Sequence, residues 1–447
     1  MASGISDSLF SKQSKSFDED PNHKLLRNIV NNSYLHDIET DNARVNKLLY
    51  DFNESLGDSV EVTDQFASGR CWIFAALNVV RRRLISRHKL TANFELSQSF
   101  VFFYDKLEKC NMALEIIFKK SSKKYTESLK FRSLIPDILG DGGTWNMFVA
   151  VVKKYGIVPK YAFPDGKQSK YSRSMNYLLL QLILKSAFEI TSKDMDINEF
   201  YIFKEKTLRD CYKVIDICIG QPPETFSWDN KQYTPMSFYK KVVCPAIDID
   251  SYVSICNIPT EKYNQLLGSE YIFNVIPKDT INKDIHKNPS NFYINVEPEV
   301  FKNAVRECIT KHSSAAWFAC DFSHFIMKKK GILDKDSSII DDLFEIDFSL
   351  GKTNSILANI IKPNHAMAII GCNEERNPTR ISRWQVENSH GKKGKYNGYM
   401  IMSDEWFDKY VGVVTVPKSC LPRHVRNIRS SSIRWLKFWS YLGFVAK

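Results

Sequence analysis

A cysteine acts as a nucleophile only where its surroundings favour the thiolate, and Cys71 sits in a pattern that does so: Gln65-Phe66-Ala67-Ser68-Gly69-Arg70-Cys71-Trp72. Ser68-Gly69 reads as a turn. From Trp72 to Val80 the residues are apolar but for Asn78, which predicts a buried helix with Cys71 at its first position. There the helix dipole is positive and backbone N–H groups lack partners, so a thiolate is favoured. An isolated cysteine in an apolar run is more often a small core hydrophobe. Its neighbours shift that balance. Gln65 is placed to lie across the helix start and aim an amide N–H at an oxygen beside the sulfur, as an oxyanion hole requires. Trp72 offers a bulky wall next to the thiol.

A thiol nucleophile needs a base, and the base needs an orienter. Asn364-His365-Ala366-Met367 puts a histidine at the head of an apolar strand, and Val386-Glu387-Asn388-Ser389 ends a second strand in an asparagine. If the two strands are antiparallel neighbours, the Asn388 amide oxygen accepts from the His365 imidazole and fixes its tautomer. A lone strand histidine is more often structural, so the expectation depends on that pairing. Thiolate and imidazolium would then coexist near neutrality and give a bell-shaped pH profile. Asp141-Gly142-Gly143-Thr144-Trp145 reads either as a plain loop before a helix capped by Thr144 or as an edge holding an extended peptide by its main chain. Local sequence leaves both open.

The elements carrying these groups can be outlined. Leu25 to Val30 and Val45 to Leu49 suggest two amphipathic helices ahead of the nucleophile segment. Arg81-Arg82-Arg83 reads as a solvated face near the end of the Cys71 helix. A further aromatic-rich helix is expected from Phe94 through Leu107, and another from Ser174 to Phe188. Ala316 to Asp321, Gly398 to Met402 and Val411 to Val416 read as strands, with a helix over Asp404 to Tyr410. Leu350-Gly351-Lys352-Thr353 is no phosphate loop, because Ile346 stands where the earlier glycine belongs.

Totals narrow the class. At 447 residues the chain exceeds the usual single domain, so two lobes or one domain with insertions is expected. Its ten cysteines form no CxxC pair, which speaks against a zinc ribbon or a disulfide framework and for reduced thiols in the cytoplasm. No metal or cofactor is expected. A net charge of +11 draws anions, nucleic acid included, through the basic C-terminal region. The N-terminus lacks the apolar stretch of a secretory signal, and Tyr177 to Leu184, the longest aliphatic run, is too short to cross a bilayer, so no membrane role is expected.

Taken together, Gln-x5-Cys-Trp, the strand-borne histidine and Val-Glu-Asn-Ser-x-Gly resemble the papain-fold cysteine peptidases. The resemblance is closest to the bleomycin hydrolase and aminopeptidase C group, through Ser68 to Phe74, Asp141 to Trp145, Asn364 to Met367, Val386 to Ser389 and Ser403 to Phe407. It implies an α+β, papain-like two-lobed fold: an N-terminal helical segment (1–60), a helical lobe with the nucleophile (61–165), an inserted helical region (166–290), a β-rich lobe with His365 and Asn388 (291–432) and a C-terminal arm entering the cleft (433–447). It implies an aminopeptidase acting on peptides or aminoacyl amides. Cys71 attacks, His365 shuttles the proton, Asn388 orients it and Gln65 binds the oxyanion. Gly142, Gly143, Trp72 and Ala446 contact substrate, and six chains assemble as a ring. Lys447, beyond Ala446, is placed for self-removal. One departure is specific: the residue after Asn388-Ser389, usually a tryptophan shielding the Asn–His bond, is His390. A nucleic-acid-binding homologue with reduced peptidase activity is the alternative.

Overall fold

Apolar side chains on every face of a helix force it into an interior, and the nucleophile segment obeys this. Its helix spans Cys71–His88, and every residue from Cys71 to Arg82 is buried. The computed structural model, which describes residues 4–120, 128–269, 292–376, 379–428, 433–437 and 440–442, places this helix against a mixed sheet.

Polar residues in the buried run are all partnered, as burial requires. Asn78 bonds Thr63 at 3.3 Å. Arg81 and Arg82 do not reach solvent, contrary to the sequence expectation. Arg81 donates to one Glu387 oxygen at 2.7 Å and Arg82 to the other at 2.6 Å. The helix continues past the triplet and stops at Lys89, whose left-handed φ of 51° closes its C-terminus.

Other helices pack on this one or extend the layer. The aromatic-rich helix is Gln98–Lys119, beginning later than its composition suggests because the Ser97 hydroxyl caps it at Phe100 N while Leu96 pairs with Pro159. Thr144 caps Trp145–Tyr155, accepting from Met147 N at 3.2 Å. Gly156 ends that helix at a φ of 81°, with the Pro235 backbone too close for any Cβ. Helices Arg173–Lys193 and Ile197–Ile219 lie against Gln98–Lys119. At the N-terminus, Pro21–Asn32 carries the Leu25–Val30 pattern, but Asn42–Lys47 is a short helix that ends before Leu48, and Asp7–Glu19 is a helix with no apolar period to announce it.

Among the described residues the main sheet has twelve strands. At its centre Ala316–Cys320, His365–Arg376, Thr379–Glu387 and Tyr399–Ser403 are successive antiparallel neighbours. Beyond Ala316–Cys320 come Val411–Pro417 and then Tyr252–Cys256. Phe292–Asn295 and Gln265–Ser269 follow, and Ile433–Leu436 closes the far edge parallel to Gln265–Ser269. Two of these strands thus come from within 166–290, a stretch that supplies sheet as well as helix. Ala316–Cys320 and residues 365–372 of the neighbouring strand are buried throughout, whereas Thr379–Glu387 carries Arg380, Arg383, Gln385 and Glu387. The Cys71 helix covers one of these strands, fastened where the Trp317 indole donates to the Trp72 carbonyl at 3.2 Å. No helix among the described residues is long and apolar enough to cross a membrane.

Candidate active site

The nucleophile helix meets the sheet at the first residue of each. The Cys71 thiol lies at the open helix end, close to the main-chain N–H of Ala366, the residue directly after His365. His365 pairs across the sheet with Cys320, and register with the next strand sets Ala368 opposite Glu387. Continued by one residue, that register sets Asn388 opposite Met367, two residues along from His365. Asn388 Oδ1 lies 2.9 Å from His365 Nε2. Asn388 Oδ1 also takes the Ser389 N–H at 2.7 Å. With Nε2 engaged, His365 keeps Nδ1 for the thiol proton.

Gln65 is tied into the same corner. Its backbone N–H donates to the Ser389 carbonyl at 2.8 Å, Asp64 pairs with His390, and Gly391 N donates to the Thr63 carbonyl at 2.9 Å. Its side chain is fixed at both ends: Oε1 accepts from the Ser389 hydroxyl at 2.6 Å, and Nε2 donates to the Ser68 carbonyl at 2.7 Å. One amide hydrogen of Gln65 remains to face a substrate oxygen. Cys71, His365, Asn388 and Gln65 are thereby brought together.

Both reacting groups are almost fully enclosed, and burial governs their charge. It pushes the Cys71 thiol up to about 11. Burial, then His390 and Lys328, bring His365 down to about 3, against the supporting bond of Asn388. A helix N-terminus favours an anion by about 0.3–1 kcal/mol, whereas burying a charge costs several. Burial thus works against the charged form of each partner, whereas the sequence reading expects thiolate and imidazolium to coexist.

The Gly140–Gly143 turn is held from behind by buried cations. Lys106 Nζ donates to the Leu139 and Gly140 carbonyls, Lys109 Nζ to those of Gly140 and Gly142, and the Trp72 indole to that of Asp141 at 2.7 Å. The Asp141 carboxylate accepts from Gly69 N at 3.0 Å and Asn176 at 2.6 Å, and pairs with Lys106 at 2.7 Å. Burial opposes its charge, but Lys106, Ser172 and Asn176 outweigh it and hold the carboxylate well below the usual range. A Cβ on Gly143 would stand 2.5 Å from the Trp72 ring. Trp72 thus lies beneath the glycines, wholly buried, and supports them from below. Ala446 lies outside the described residues. The tail before it returns inward: Tyr441 and Leu442 are buried, and a Cβ on Gly412 would meet the Tyr441 hydroxyl at 2.7 Å and Pro363 at 2.9 Å, two residues before His365.

Sequence reasoning missed Ser389, Glu387, Lys106 and Lys109. A signal existed for the lysines: Lys106 and Lys109 fall at helical spacing from Phe102 and Ala113, on a face that is otherwise largely apolar.

A thiol at a helix end, an amide-oriented imidazole and a fixed carboxamide are the groups that cysteine-dependent acyl transfer uses. The Peptidase C1-like family model matches residues 4–443, and the chain belongs to that family. It is 32% identical to aminopeptidase C of Lactobacillus delbrueckii subsp. lactis over 83% of this chain and 82% of that protein. Human bleomycin hydrolase is 28% identical over the full length of both. The crystal structure of PepW from Lactobacillus rhamnosis HN001 superposes with a TM-score of 0.90 at 28% identity, covering 100% of each chain.

Proposed function

We infer that this chain is a cysteine aminopeptidase of the bleomycin hydrolase type, hydrolysing the amide bond next to a free N-terminal amine, and that Cys71, His365, Asn388 and Gln65 carry the reaction. The observation that carries the reading is the 2.9 Å bond between Asn388 Oδ1 and His365 Nε2, with the Cys71 sulfur close to the backbone of Ala366. His365 Nδ1 takes the thiol proton as Cys71 Sγ attacks the carbonyl carbon. The developing oxyanion is met by Gln65 Nε2 and the helix-end N–H groups. The proton passes to the leaving amine, the C–N bond breaks and an acyl-thioenzyme remains. Water, giving its proton to His365, releases the acid and restores the thiol.

The papain-like two-lobed description fits a Cys71 helix on one side and the His365 sheet on the other, meeting at their first residues. Gly142 and Gly143 present a fixed main-chain edge to the substrate, propped by Trp72. The C-terminal arm, with Ala446 near its tip, supplies the carboxylate that receives the substrate's amine. Support for that part is the buried course of Tyr441 and Leu442 beside Pro363. The hexameric ring belongs to the same proposal: exposed Tyr201, Ile202 and Ile217 on the Ile197–Ile219 helix offer apolar surface for it to cover. The relatives' names favour this reading over the nucleic-acid alternative.

The test compares an aminoacyl amide with its N-acetylated form, in the full chain and in a chain ending at Gly443. The full chain should cleave only the free-amine form, and the shortened chain should accept the acetylated one. Equal cleavage of both by the full chain would refute the aminopeptidase reading.

A further inference from the structure

We propose that His390 is a positioning residue for the base: its unprotonated Nδ1 accepts from the Asn388 side-chain amide and so fixes which end of that amide faces His365. The inference rests on the peptidase reading above. An asparagine side chain has two ends of nearly equal size, one accepting and one donating, and only the oxygen can receive the His365 Nε2 proton. Something must therefore hold the amino end away. Asn388 Nδ2 lies 3.4 Å from His390 Nδ1 and 3.6 Å from the Met400 sulfur. The Ser389 N–H holds the oxygen end at 2.7 Å, and at the amino end, where a thioether is a weak acceptor, the imidazole nitrogen is the stronger partner.

The rest of the corner fixes His390. Its ring stacks on that of His365 with centroids 4.9 Å apart at 25°, and Phe322 flanks both rings. Its backbone pairs with Asp64, and the next residue, Gly391, adopts a φ of 72° where a Cβ would fall 2.7 Å from the Asp64 carboxylate.

The arrangement works only while His390 is neutral. An imidazolium has two N–H groups and no acceptor, so it would set a donor against Asn388 Nδ2. It would also place a positive charge on the ring stacked against His365, opposing the imidazolium that forms as Cys71 gives up its proton. The charged and titratable groups facing His390 are Lys328, Asp64, Lys393 and His365. Burial and the two lysines lower its proton affinity, and Asp64 raises it by less. The support is thus present at neutral pH and lost as pH falls through the lowered value, which adds a second ionisation to the acid limb of the rate.

Two measurements on the full chain test this. Nitrogen NMR of histidine-labelled protein near neutral pH should show His390 with an unprotonated Nδ1 and a protonated Nε2. The opposite tautomer overturns the proposal. Kinetics should compare His390→Phe, which keeps a stacked ring without an acceptor, and His390→Gln, which keeps an acceptor that does not titrate, from about pH 4 to pH 8. The Phe variant should lose about tenfold in kcat at neutral pH with KM unchanged, and Gln should recover most of it. Both should show a shallower acid limb than the unmodified enzyme. A Gln variant no faster than Phe, or acid limbs unchanged in both variants, overturns the proposal. If instead the peptidase reading were at fault, hydrolysis would not depend on Cys71, whereas the nitrogen spectrum would still report the tautomer of His390.

Discussion

Gln65 and Ser389 are bonded twice, backbone to backbone at 2.8 Å and hydroxyl to side-chain carbonyl at 2.6 Å. The proposed oxyanion group and the segment proposed to orient the base are therefore one unit, although 324 positions separate them. Ser389→Ala removes the hydroxyl and frees the Gln65 amide to turn. The expected result is a kcat lower by about tenfold with KM nearly unchanged, the mark of a contact made to the transition state. An unaltered kcat would mean that Gln65 is held well enough without Ser389.

The glycine turn makes a steric prediction. Gly143→Ala forces a Cβ to within 2.5 Å of the Trp72 ring, so either the turn or the nucleophile helix must shift. Displacement of about 1 Å costs on the order of 10²-fold in kcat/KM. Gly166→Ala, with nothing within 4 Å of the new carbon, is the control and should be close to neutral. Steady-state kinetics on both variants checks this.

Stability should depend on Glu387. It is the buried partner of Arg81 and Arg82 and stands directly before Asn388, so it ties the nucleophile helix to the orienter strand. Glu387→Ala strands two buried guanidinium groups and should cost about 3–5 kcal/mol in urea unfolding. Lys193→Ala, which breaks an exposed pair with Glu189, should cost less than about 0.5 kcal/mol. Burial works against the Glu387 charge, but the arginines hold its carboxyl below the ordinary range. Its contribution is therefore present above the ordinary carboxylate value and lost as pH falls through the lowered one.

The rate–pH profile follows from burial, which opposes a charge on either reacting group. Hydrolysis needs His365 unprotonated, and a lowered imidazole value keeps it so to lower pH than an ordinary histidine. The acid limb should lie below about pH 6.5. With the thiol pushed up to about 11, the alkaline limb should lie above the ordinary cysteine value of about 8.5. A flat kcat/KM between those limits agrees, and a sharp bell centred within them contradicts it.

The chain's chemistry was legible where local pattern and function coincide. Cys71 opens a helix apolar to Val80 but for Asn78, His365 opens a strand that begins apolar, and Asn388 follows a strand, so local pattern placed each at an element end. Helix Asp404–Tyr410 and strand Val411–Pro417 were readable for the same reason. What local sequence hides is partnership over distance. Arg81 and Arg82 look solvent-bound until Glu387 arrives from the sheet, and Lys106 and Lys109 look like surface cations until the Gly140–Gly143 carbonyls turn to them. The burial that opposes a charge on Cys71 was hidden too, because the helix end is visible in sequence and the enclosure is not.

The most direct test of the account is to treat the full chain with a thiol-directed peptidyl inhibitor bearing a free N-terminal amine, map the modified residue, and measure hydrolysis by Cys71→Ser. The account requires modification at Cys71, in step with loss of activity, and no hydrolysis by the serine variant. Inactivation through any other cysteine, or a serine variant that still turns over substrate, would contradict it.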